Sequence, residues 1–143
     1  MIMIAAIFTL LSCSSSKTRY TKIVEDRKNV PIVVPQQYKK SIYEKGDIKA
    51  YEAVKKLFAQ KGESYEVLFY SMMMANRHHY KPAYFDVYIC LWQAFNMGKR
   101  VEIWDMTRFD PKTREMALYY LELSAKNGNS RAKEILLKQY LEQ

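Results

Sequence analysis

Cysteine, histidine, glycine and proline are all scarce in this 143-residue chain, and each scarcity excludes something. Four glycines and four prolines argue against low complexity and against a turn-rich β protein. The only histidines are the neighbours His78 and His79. Adjacent histidines point in different directions, whereas a metal site needs ligands that converge at suitable spacing. No Gly-rich phosphate loop and no nucleophile elbow occur. The acidic pairs Glu63/Glu66 and Glu102/Asp105 could meet on a helix. Their Lys and Arg neighbours mark solvated surface rather than the desolvated carboxyl a general acid needs. Met72, Met73 and Met74 invite comparison with a copper site, yet at helical spacing they are more simply a packing face. No metal and no cofactor are therefore expected, and an enzyme is the weaker expectation. What is present is a 49% hydrophobic content, enough for one packed domain. There are also 12 tyrosines and a net charge of +8. Such a charge suits nucleic acid, an anionic membrane or an acidic partner.

The first 40 residues help to choose. Residues 2–11 form an apolar run without a charge. A membrane span needs about 20 residues and a secretory core about 7–15, so the run has the length of a signal. It ends in Leu10-Leu11-Ser12-Cys13, which resembles the lipobox of bacterial lipoproteins. The usual Lys or Arg at the start of a signal is missing from Met1-Ile2-Met3-Ile4. The resemblance implies cleavage after Ser12, diacylglycerol on the Cys13 sulfur, and a polar tether beginning at Ser14-Ser15-Ser16. It also implies an envelope location, with Ser14 permitting the outer membrane and a periplasm-facing domain. Cys90 is then left alone within an apolar stretch and reads as a small buried hydrophobe. An exported protein rarely meets nucleic acid, so no nucleic-acid partner is expected. The tether at 13–35 and the residues just after it carry Lys17, Arg19, Lys22, Arg27, Lys28, Lys39, Lys40 and Lys45 against Glu25, Asp26 and Glu44. Two readings stand: attraction to anionic headgroups at about 1 kcal/mol per cation, or an ordinary solvated tether.

Beyond residue 35 the pattern is helical and repeats. Gly46, Ala50, Val54 and Phe58 are spaced by four, as are Gly128, Ala132, Leu136 and Tyr140. His79, Ala83, Val87 and Leu91 make a third copy with His in the glycine position. Glycine ends one helix in a left-handed conformation, a small residue allows close approach, and larger residues fill the groove. The spacing predicts the second helix of a tight hairpin, used three times. First helices are expected at 36–45, 64–77 and 113–127. Asp47 caps a helix running to Lys61, Gly62 and Gly98 end helices, and Asp110-Pro111 starts another. The last copy, with Ala117, Tyr120, Leu121, Ser124, Ala125, Gly128, Ala132, Leu136 and Tyr140, resembles a Sel-one-like repeat of the tetratricopeptide superfamily. The expected fold is all-α: about six helices in three antiparallel hairpins, a short tetratricopeptide-like solenoid over 36–143. It follows a signal peptide at 1–12 and a lipidated, flexible tether at 13–35. A helical bundle whose tight hairpins converged on this spacing is the alternative.

The intervals between copies are unequal, and the surplus falls at residues 99–110. Insertions in solenoids map to loops, often on the binding side. This one carries Trp104, Met106, Arg108 and Phe109, residue types common at interfaces. Alternatively, its aromatics fold back to cap the last hairpin. Tyr84 and Tyr88 lie in an apolar stretch and suit either a peptide groove or the core. Repeats of the resembled class are mostly adaptors. The expected function is a non-catalytic protein- or peptide-binding module, held at the membrane by lipid on Cys13. An immunity lipoprotein against a toxin and an envelope enzyme acting on glycan or lipid are the rivals.

Overall fold

In the computed structural model the described residues are 31–141; Cys13, the apolar run and most of the basic tether lie outside them. The described residues contain six α-helices, one short 3-10 helix and no strand. The helices are α1 (Gln36–Lys45), α2 (Ile48–Ala59), α3 (Leu68–Asn76), α4 (Lys81–Asn96), α5 (Pro111–Lys126) and α6 (Ser130–Leu141). The first helix of the second hairpin is shorter than expected, because Ser64–Val67 winds as a 3-10 turn leading into α3.

Local chemistry sets the ends. Asp47 accepts hydrogen bonds from the backbone N–H groups of Lys49 at 2.9 Å and Ala50 at 3.2 Å. Asp110 does the same for Lys112 and Thr113, with Pro111 in the first turn. Each satisfies donors that a helix start leaves free. Gly46 has φ +62 and His79 has φ +51. In both turns the residue just after them donates to a carbonyl six residues back: Asp47 to Ser41, Tyr80 to Met74. His79 therefore takes the left-handed conformation of the glycine whose place it holds in the spacing, although histidine there departs from the pattern.

Consecutive helices pack as hairpins, α1 on α2, α3 on α4, and α5 on α6. Hairpin stacks on hairpin through α1 against α3, α2 against the 3-10 turn, and α4 against α5. The first and third hairpins share no packed interface among the described residues. The arrangement is thus an open stack rather than a closed bundle, as in quasi-one-dimensional repeats. Ile42, Tyr51, Val54, Met74, Val87, Tyr88, Leu121 and Ile135 fill its core.

One register differs from expectation. In α2, Ala50, Val54 and Phe58 are all buried, but in α6 the buried positions are Ala132, Ile135 and Gln139. Leu136 is half-buried, and Tyr140 is 69% exposed. Steps of four residues rotate around a helix, drifting by about 120° over three steps. Helix α2 is packed on more than one side and tolerates that drift. Helix α6 has its main packed interface against α5, so its buried stripe must follow the true helical period.

Candidate functional site

Two surface features stand out, a groove between α1 and α3 and the segment joining α4 to α5. The groove has a volume of about 390 Å³ and is lined by Gln36, Lys39, Lys40, Tyr43 and Glu44 from α1 and Phe69, Tyr70 and Met73 from α3. Helix α3 carries no charged side chain along its whole length. It nevertheless leaves Phe69 65% exposed, beside a Tyr43 that is 51% exposed. Tyr43 is held by the second hairpin: the Arg77 guanidinium lies 4.5 Å from its ring centre, and the His78 ring Nε2 is 3.1 Å from the Tyr43 carbonyl oxygen. His78 also packs on Gly46, where a Cβ would lie 2.5 Å from the ring Cγ. One wall of the groove is therefore fixed by contacts between two turns.

The segment at 99–110 is pinned by a row of donors on α4 spaced every four residues, so that they share one helix face. The Tyr88 hydroxyl donates to the carbonyl of Ile103. The Trp92 indole N–H donates to Glu102 at 3.1 Å, and the Asn96 amide donates to Asp105 at 3.2 Å. From α6, the Gln139 amide donates to the Trp104 carbonyl. Four consecutive carbonyls, 102 to 105, are thus held by side chains. Burial, reinforced by the Asp105 charge, pushes the Tyr88 phenol well above its ordinary value, so it remains a donor. Asp105 accepts from the Thr107 hydroxyl at 2.6 Å and backbone N–H at 2.9 Å, which hold its carboxyl below the usual range.

This pinning places the residues expected at a partner surface. Met106 and Phe109 are buried, with Phe109 5.0 Å from Phe95 between ring centres. Tyr84 is buried, and Tyr88 is fully so. Trp104 is half-buried, with Lys138 5.5 Å from its ring centre; Arg108 is exposed. The segment folds back onto the last hairpins, because burying two large apolar side chains outweighs leaving them in water. Of the six residues, only Trp104 and Arg108 reach the surface; exposed aromatics lie elsewhere, Tyr43 and Phe69 facing the α1–α3 groove and Tyr119 and Tyr140 standing on α5 and α6. Nothing in the sequence marked that groove. Only the absence of charge from α3 could have pointed to it.

No protein family, curated protein or solved structure matches the chain. Its own residues therefore carry the functional reading.

A second polar cluster joins α2, α3 and α4. The Tyr51 hydroxyl donates to Asp86 at 2.8 Å and lies 2.8 Å from the Ser71 hydroxyl; Lys55 donates to Asp86 at 2.9 Å. Burial pulls the Lys55 ammonium down, but the hydrogen bond and charge of Asp86, with Glu52 behind them, leave it net raised and charged. Cys90 borders the same depression, and burial pushes its thiol up to about 11. Such a thiol is inert at neutral pH. Among the described residues no group of three potential metal ligands gathers, and no helix is long and apolar enough to cross a membrane.

Proposed function

We propose that this protein is a lipid-anchored interaction module of the bacterial envelope, whose α1–α3 groove receives a segment of a protein partner. The observation that carries the reading is the groove itself: exposed Phe69 and Tyr43 beside Lys39 and Lys40. Exposed aromatics held on a rigid scaffold supply contact area at low entropic cost. The two lysines, against the single Glu44, select a segment with acidic as well as apolar side chains and speed its encounter. Anchoring rests on the lipobox-like Leu10-Leu11-Ser12-Cys13. The Sel-one-like reading of the last hairpin is supported by the left-handed Gly128 and the buried Ala132.

The test is a crosslinked pull-down of the full-length protein from its own envelope, beside a Phe69→Ser, Lys40→Glu double variant. One protein partner recovered with wild type and lost with the variant is the expected result. A partner retained by the variant would remove the groove from the account. Recovery of glycan or lipid alone would favour an envelope enzyme. Membrane fractionation of Cys13→Ala tests the anchor separately: release from membranes is expected, and continued sedimentation with them would contradict lipidation.

A further inference from the structure

The last hairpin presents an apolar outer side, whereas a stack of helical repeats ordinarily closes on a terminal unit with a polar outer face. On α6, Leu137, Tyr140 and Leu141 stand at i, i+3 and i+4 and so share one helix face. They are 59%, 69% and 72% exposed, and the half-buried Leu136 adjoins them. On α5, Tyr119 is 55% exposed. Tyr119 and Leu137 are each nine residues from the turn at Gly128, so they sit at the same height along two antiparallel helices packed on each other. None of these residues lines the α1–α3 groove.

We infer that the outer side of α5 and α6 is a self-association surface, through which two copies of the chain pair about a two-fold axis. Area, charge and closure each favour a second copy as the occupant. Taking about 200 Å² for a whole large side chain, the exposed parts of Tyr119, Leu137, Tyr140 and Leu141 come to about 500 Å². A stable interface covers about 800 Å² per partner, of which about 65% is apolar in homodimers, so the face has the size that pairing needs. The charges sharing these two helix faces are balanced: Glu115, Glu122 and Glu134 against Lys112, Lys126 and Lys133, all exposed. None of the six forms an ion pair with another described residue. In a chain of net charge +8, such a face can meet its own copy without like-charge repulsion. Two copies meeting at the α1–α3 groove would instead set Lys39 and Lys40 against each other with one Glu44 each. The three carboxylates also disfavour an anionic bilayer as the cover. A two-fold pairing covers both apolar faces at once, whereas a head-to-tail stack would leave one bare at its end.

The full-length chain is produced in its own cells as two differently tagged copies, with a photoreactive phenylalanine at position 140 of one. An adduct joining the two tags is expected, and none from a probe at position 69 in the α1–α3 groove. Leu137→Lys in both copies acts twice across the axis and should lower the adduct at least about tenfold, with Tm unchanged because the side chain is exposed. Glu122→Lys, which unbalances the charge of the face without touching its packing, should lower it in the same direction. No adduct between the tags, an adduct to another protein in its place, or an adduct undiminished by both variants would overturn the proposal. So would a ladder of adducts beyond the dimer, which an open head-to-tail stack would give.

Discussion

Helix α4 carries two polar clusters that differ in one respect. Towards its start, Asp86 is met by Tyr51 and Lys55, and Ser71 completes the set. Towards its end, Asn96 gives its amide to the loop but keeps a buried oxygen without a donor, as does Gln93. The first cluster is closed on itself and ties three helices together. The second is half-used for structure and half left open. The turns repeat the contrast: the space over Gly46 is filled by His78, whereas nothing lies within 4 Å of a Cβ placed on Gly128. Closed places are where substitution should cost stability, and open places are where it should be tolerated.

The largest effect is expected at Asp86. Asp86→Ala leaves the Tyr51 hydroxyl and the half-buried Lys55 without their shared acceptor. A loss of about 3 kcal/mol in urea denaturation is expected; a loss below about 1 kcal/mol would show the cluster to be an ordinary surface pair. Next is Gly46→Ala, which combines a left-handed backbone with a collision against His78. About 2 kcal/mol or more is expected, while Gly128→Ala should cost only the backbone strain of about 1 kcal/mol. Equal losses in the two variants would erase the contrast between filled and open turns. Tyr88→Phe removes one of four pins on residues 102–105 and should cost about 1 kcal/mol. Faster amide exchange confined to that loop would separate the pin from general core damage. The smallest effect belongs to Gln93→Met, where removing an unpartnered acceptor should leave stability unchanged or raise it by up to about 1 kcal/mol.

Much of the fold could be read from the residues alone. Asp47, Asp110-Pro111, Gly62, Gly98 and Gly128 carry local signals of helix starts and stops, and the four-residue spacing at 46–58 and 79–91 located two second helices and their buried faces. The left-handed conformation at His79, which stands where the other two copies have glycine, was shown only by the structure. The site was far less readable. Tyr84, Tyr88, Met106 and Phe109 are residue types that serve cores and interfaces equally, and sequence does not say which side of the surface they fall on. The pins from Tyr88, Trp92 and Asn96 end on backbone carbonyls, which have no signature of their own. The α1–α3 groove depends on two helices from different hairpins lying side by side, a relation that no local pattern encodes. At α6 the fixed spacing misled, because a helix packed mainly on one side keeps a narrower buried stripe than α2.

The most direct test of the functional claim is site-specific photocrosslinking in living cells, with a photoreactive phenylalanine at position 69 in the groove and, separately, at the buried position 109. A single protein adduct is expected from position 69, disappearing when Lys40→Glu is added, and none from position 109. Absence of any adduct from position 69, or the same adduct from both positions, would contradict the α1–α3 groove as the partner site.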